Sequence, residues 1–313
     1  TPKHIVEAAK KALDEGHHGY TPANGTIELR EGVSRHIKKM YGAEIESDRV
    51  FIAPGGKPSM FFAIMLFGQP GVEIIYPEPG FPIYESVINY SGAQAVPMYL
   101  SEEKNFSFNA DDVLNLISEK TRLLIINNPQ NPTGGLIEKS EIDKLVKGLK
   151  KFPNVAIFSD EIYSRQIYDG KSMPSFFYYP ELFDRLIVMD GWSKTYAMTG
   201  WRLGWSVWPK NLIENVTKMA INSYSCVSAA NQVAALAALE GSDEFIKDMM
   251  KKFDKRRNLI VEGLNAIPGI KCNKPGGAFY AFPNISETGM TGESFAEKCL
   301  FDAGVAIVPG TSF

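Results

Sequence analysis

Ser193-Lys194-Thr195-Tyr196-Ala197-Met198-Thr199-Gly200-Trp201-Arg202-Leu203-Gly204 is the most specific stretch of the chain. It follows a short apolar run, Leu186–Met189, and the step Asp190-Gly191. Its lysine therefore stands at the end of a predicted strand. A lone lysine normally belongs to the solvated surface. This one lies among Trp192, Tyr196, Met198 and Trp201, so its stem is expected to be packed. A desolvated lysine has a lowered pKa and can act as an amine nucleophile towards an aldehyde. Arg202, in a turn flanked by Gly200 and Gly204, is equally hard to explain as plain surface.

Working outward, short runs rich in Val, Ile, Leu or Phe alternate with amphipathic stretches. Arg49–Ala53, Val72–Tyr76, Ala95–Tyr99, Arg122–Asn127, Asn154–Ser159 and Leu186–Asp190 read as strands, each closed by a turn signal. Thr26–Tyr41 spaces Ile27, Leu29, Val33, Ile37 and Met40 near the helical period, with Gly42 as its stop. Thr1-Pro2 opens a further helix, and Glu138–Lys150 is another. Strand, helix, strand in succession predicts an α/β fold. Its central sheet should be mostly parallel, with helices on both faces. From about Asn231 the rhythm changes to longer helices, Gln232–Leu239 and Asp243–Leu264, then a Gly-rich β-like stretch, Pro275–Phe282. The expected organisation is a large domain over 1–245 and the start of a smaller C-terminal α/β domain over 246–313.

In open α/β sheets ligands gather beyond the carboxyl ends of the strands, and the unusual residues fall there. Four strand ends lead into Pro54-Gly55-Gly56-Lys57, Asn127–Gly134, Ser159-Asp160-Glu161-Ile162-Tyr163 and Asp190–Lys194. Each segment alone reads as a turn; together they imply one composite site. Gly55-Gly56-Lys57 ahead of a helix suggests an anion held on free backbone N–H groups. A P-loop would need Gly at 52 and Ser or Thr at 58, where the chain has Ile52 and Pro58. No strand–GxGxxG–helix occurs. His17 and His18 are adjacent and cannot share a helix face, so no metal site is expected.

The bulk numbers agree. A chain of 313 residues allows about two domains. With 44% hydrophobic and 22% charged residues the composition is that of a globular protein. A net charge of −3 argues against a nucleic-acid partner. The longest apolar run, Met60–Phe67, is far short of the roughly 20 residues a membrane span needs. Cys226, Cys272 and Cys299 make neither a disulfide framework nor a metal clip, which fits a reducing cytoplasm. No signal peptide is visible. The chain begins at Thr1 and stops after a Pro-Gly-Thr-Ser turn, so both ends read as cut.

On these residues the sequence resembles the fold-type I pyridoxal-phosphate enzymes, in particular the class I aspartate aminotransferase family, over nearly its whole length. The carriers are Ser193-Lys194…Gly200-Trp201-Arg202-Leu203-Gly204, Asn131-Pro132-Thr133-Gly134, Ser159–Tyr163 and Pro275-Gly276-Gly277-Ala278-Phe279-Tyr280. Trp192 departs from the smaller residue more usual in that family, which reads as a packing variation. The resemblance implies a pyridoxal 5′-phosphate cofactor held as a Schiff base on Lys194, whose amine then moves a proton at the substrate Cα. Asp160 would pair with the pyridinium N–H, and Asn131 and Tyr163 would hydrogen-bond the ring O3′. Phe81 would stack on the ring, in place of the more frequent Trp or Tyr. The phosphate would take the N–H groups of Gly56 and Lys57, the Arg202 guanidinium and the Ser193 hydroxyl. Tyr20 would reach the neighbouring subunit of a homodimer.

The resemblance implies a transaminase acting on an amino acid and a 2-oxo acid, with aspartate and 2-oxoglutarate as the first expectation. Aromatic- and alanine-specific transaminases, a β-lyase, a decarboxylase and a non-catalytic regulator on the same scaffold stay open, since fold does not fix reaction. The family's arginine for the substrate carboxylate would lie beyond Pro309-Gly310-Thr311, and its N-terminal glycine loop ahead of Thr1. Asn131 and Phe81 are thus the substrate candidates in hand, with Lys57 as a candidate cation for a side-chain carboxylate.

Overall fold

A computed structural model describes residues 1–313. In chain order its elements are α1 (Lys3–Asp14), α2 (Ile27–Tyr41), β1 (Val50–Ala53), α3 (Lys57–Phe67), β2 (Glu73–Glu78), α4 (Ile83–Ser91), β3 (Gln94–Tyr99), α5 (Ala110–Leu116) and β4 (Thr121–Asn127). There follow α6 (Lys139–Leu149), β5 (Ala156–Asp160), β6 (Leu186–Gly191), the single turn α7 (Trp192–Thr195), β7 (Gly204–Val207), α8 (Ile213–Ser223), α9 (Ala229–Glu240), α10 (Glu244–Asn265) and α11 (Gly292–Ala303). No helix is long and apolar enough to cross a membrane.

The strands form one sheet in the order β1-β7-β6-β5-β4-β2-β3. β7 runs antiparallel to both its neighbours and the remaining pairings are parallel, so β1, β4, β5 and β6 all end on the same edge. Residues alternate between two cores, as strand periodicity requires. Val50, Ile52, Leu124 and Ile126 join a core built with α1, α2, α5, α6 and α9. Phe51, Ala53, Leu123 and Ile125 join one built with α3, α4 and α8. Each buried Ile or Phe contributes about 1.5–3 kcal/mol. β3 is an edge strand, half-exposed, and tolerates Pro97 for that reason.

Two expectations are revised. β7 escapes the sequence reading altogether. Pro275–Phe282 is not a strand but a folded arch with one isolated bridge, Ile167 to Gly277. The N–H groups of Gly276 and Gly277 both donate to the Gly134 carbonyl, and that of Ala278 to Gln166. Ala278 takes a left-handed φ of 55°, which breaks any ladder. Trp192 is wholly buried, its indole N–H donating to the Ala235 carbonyl of α9, in keeping with a packing role.

Candidate active site

The four strand ends converge as expected. β5 ends on Asp160, which is buried and pushed up to about 6 by loss of solvent, against the opposing pull of a Tyr84 hydrogen bond. Tyr84 Oη donates to Asp160 Oδ2 at 2.6 Å, and the Ile162 N–H reaches Oδ1 at 3.2 Å. Tyr84 lies on α4 with no exposed surface, and its phenol is held well above the ordinary range by burial and by the carboxylate. No cation bonds this carboxylate within the chain. A buried acid of this kind calls for a positive or N–H partner.

Lys194 rises from α7 at the end of β6. Its Nζ lies 5.7 Å from the centre of the Tyr163 ring and 5.1 Å from that of Phe279, and it makes no ion pair or hydrogen bond. Desolvation lowers its pKa and nearby Arg202 adds to this, while Asp160 opposes. The turn is held from beneath: Gln166 Nε2 donates to the Lys194 carbonyl at 3.2 Å. Asp190 accepts the Gly191 N–H and the Ser164 hydroxyl, each at 2.6 Å. That bridge joins the lysine segment to the segment bearing Tyr163.

β4 delivers Asn131. Its N–H donates to Asn127 Oδ1 at 2.8 Å, but its own carboxamide has no partner and Oδ1 is buried. Such an orphan requires an external donor or acceptor, with the two amide ends interchangeable. Tyr163 is buried, its hydroxyl 2.5 Å from that of Tyr280. Burial, then Tyr280, raise its pKa strongly.

Beyond β1 lies an anion cradle. Gly55, at a φ of 89°, turns the chain into α3, whose first N–H groups, those of Gly56 and Lys57, have no partner in the chain. Free N–H groups and the helix dipole together favour an anion. A Cβ on Gly55 would come within 2.3 Å of Arg202 Nη2, so the missing side chain is what lets the guanidinium cross this turn. Arg202, exposed, donates to the Thr199 carbonyl at 2.8 Å and has donors to spare. The Ser193 hydroxyl on α7 is unbonded too. Phe81, edge-on to Tyr84, carries the Lys57 ammonium 5.4 Å from its ring centre. Tyr20 stands apart, 94% exposed.

Sequence reasoning missed Tyr84, and assigned no role to Phe279 or Tyr280 although their arch carried part of the resemblance. It also missed the anchor of that arch. Arg257 of α10 donates to the Pro275 carbonyl at 2.9 Å and to Asp169 and Asp254, with its guanidinium 4.1 Å from the Tyr168 ring centre.

Comparison with known proteins gives a consistent picture. The family profile for aminotransferase class I and II matches residues 1–313. An aspartate aminotransferase of Pyrococcus horikoshii is 41% identical over 316 aligned residues, covering 100% of this chain and 80% of that protein. Among solved structures, the aspartate aminotransferase from Rhizobium meliloti superposes with a TM-score of 0.94 at 33% identity, covering 100% of this chain and 81% of that one. The aromatic aminotransferase from Pyrococcus horikoshii gives 0.96 at 36% identity, covering 100% and 84%.

Proposed function

The chain belongs to the aminotransferase class I and II family and is a transaminase, and from that premise we propose that it uses pyridoxal 5′-phosphate to move the amino group of aspartate to 2-oxoglutarate. The observation that carries the reading is Lys194: a desolvated amine with no anionic bond, between two aromatic rings and near a buried carboxylate.

The residues fit the cofactor. Asp160 lacks a bonded cation, the Asn131 carboxamide lacks any partner, and the start of α3 offers free N–H groups to a phosphate. When bound, pyridoxal phosphate supplies an aldehyde for the amino nitrogen and a ring that accepts the electrons released at Cα. Asp160, steadied by Tyr84, holds a proton at the ring nitrogen. Asn131 and Tyr163 orient O3′, and Phe81 covers one ring face. Gly56, Lys57, Arg202 and Ser193 bind the phosphate. Lys194 would hold the cofactor's aldehyde carbon, and its amine, when free, would be the base that takes the proton from the substrate Cα. Burial lowers its pKa, which shifts it towards the neutral amine that can accept a proton.

Lys57 supports an acidic substrate: its ammonium has no carboxylate partner and lies 5.4 Å from the centre of the Phe81 ring. Aromatic substrates are the second reading, favoured by the Phe81, Phe279 and Tyr163 rings and by the likeness to an aromatic aminotransferase. Amino-donor half-reactions on the loaded protein separate the two. Aspartate should convert the bound cofactor to its amine form faster than phenylalanine does. Lys57→Met should lower the aspartate-to-phenylalanine ratio about tenfold or more, the loss expected for one charged hydrogen-bond partner. A ratio unmoved by that change would remove Lys57 from substrate selection.

Tyr20, exposed in the loop before α2, supports a homodimer in which it completes the neighbouring site. α11, with Ala296 as its one buried residue, supports the assignment of residues 246–313 to the start of a smaller domain. Three free cysteines support residence in the cytoplasm.

A further inference from the structure

The hydroxyls of Tyr163 and Tyr280 meet at 2.5 Å, and neither has another hydrogen-bond partner in the chain. Two hydroxyls at that distance share one hydrogen bond, one as donor and one as acceptor. Tyr280 does not reach this position by chance of a loose loop. Its arch is fixed by Arg257 at Pro275, by two N–H bonds to Gly134, and by Tyr168 Oη donating to the Ala278 carbonyl at 2.6 Å. The other groups that titrate and face Tyr163 are Asp160 at the end of β5, Tyr84 on α4 and Lys194 on α7, the last also feeling Arg202.

We propose that Tyr280 is a positioning residue for the transaminase reaction: it donates its hydroxyl proton to Tyr163 and so commits the Tyr163 proton to the cofactor's ring oxygen. This rests on the reading above, in which Tyr163 bonds O3′. Tyr163 has one proton. Spent on Tyr280, it is lost to the ring; given to the ring, it leaves the Tyr163 oxygen free to accept, and Tyr280 is the only donor in reach. A hydroxyl that accepts one hydrogen bond while giving another is the stronger donor. A donor at O3′ stabilises the oxygen's negative charge and favours the unprotonated form of the Lys194 linkage. Weakening that donor therefore raises the pH at which the linkage loses its proton.

The test is the pH titration of the bound cofactor's absorbance in the full chain loaded with pyridoxal phosphate, for the parent, Tyr280→Phe, Tyr163→Phe and the double variant. Loss of the whole bond in Tyr163→Phe should raise the midpoint by about 1–2 pH units. Tyr280→Phe, which keeps the ring and removes one oxygen, should raise it by about 0.1–0.6 unit, the cooperative share of that bond. In the Tyr163→Phe background, Tyr280→Phe should add nothing. A Tyr280→Phe midpoint equal to the parent's, or an equal shift in both backgrounds, overturns the proposal while leaving the site reading intact. An unmoved midpoint in Tyr163→Phe overturns the reading of Tyr163 itself, and Tyr280 falls with it.

Discussion

Asp190 is a buried carboxyl that no cation offsets, and replacing it by asparagine should stabilise the chain in a pH-dependent way. Burial is the main cause that lifts it from 3.8 to about 8, with Glu161 and Asp160 adding to the rise and the Ser164 and Gly191 hydrogen bonds opposing it. Folding thus takes up a proton between these two values. The stability linked to this group is full below about pH 4 and falls as pH rises towards 8. Each pH unit in that window is worth at most about 1.36 kcal/mol. Between pH 5 and 8 the loss therefore reaches at most about 4 kcal/mol. The asparagine carboxamide would keep both contacts, its Oδ1 accepting the Gly191 N–H and its Nδ2 donating to the Ser164 oxygen. Asp190→Asn should match the parent within about 1 kcal/mol near pH 4 and exceed it by several kcal/mol at pH 8. Urea unfolding of both proteins across pH 4–8, without added cofactor, reads this directly. A gap between variant and parent that stays constant with pH would mean that folding takes up no proton at Asp190.

Two further substitutions probe the frame. Tyr84→Phe removes a charge-assisted bond to Asp160, so the carboxyl should rise further by about one pH unit and cofactor affinity should drop roughly tenfold, measured by equilibrium titration. Gly204→Ala would bring a Cβ within 2.5 Å of the Gly55 carbonyl carbon, a backbone clash where β7 meets the phosphate turn. It should cost more than about 2 kcal/mol by denaturant unfolding and weaken inorganic phosphate binding.

Much of this architecture could be read from the chain because its signals are local. β1 to β6 are apolar runs closed by turns, and the unusual residues at four strand ends picked out the loops that meet at one edge of the sheet. β7 was illegible because it abuts the Arg202 turn and carries a buried Ser206. That serine is accommodated by bonds to Ser59 and Trp208 rather than by an apolar pattern. Tyr84 looked like one more aromatic on an amphipathic helix; its bond to Asp160 spans 76 residues and has no local trace. Arg257 stands in a Lys-Lys-Phe-Asp-Lys-Arg-Arg run that reads as a solvated face. It is buried because Asp169, Asp254 and the Pro275 carbonyl together satisfy its guanidinium. Tyr280 lay in a recognised motif, but its role depends on the contact with Tyr163, 117 residues away.

In this site one amine, that of Lys194, carries the proposed chemistry. Loading the chain with pyridoxal phosphate, reducing with borohydride and mapping the modified peptide identifies that amine. A single pyridoxyl group on Lys194, absent from Lys194→Ala, is the expected outcome. A label on another lysine, or none at all, would take Lys194 out of the chemistry.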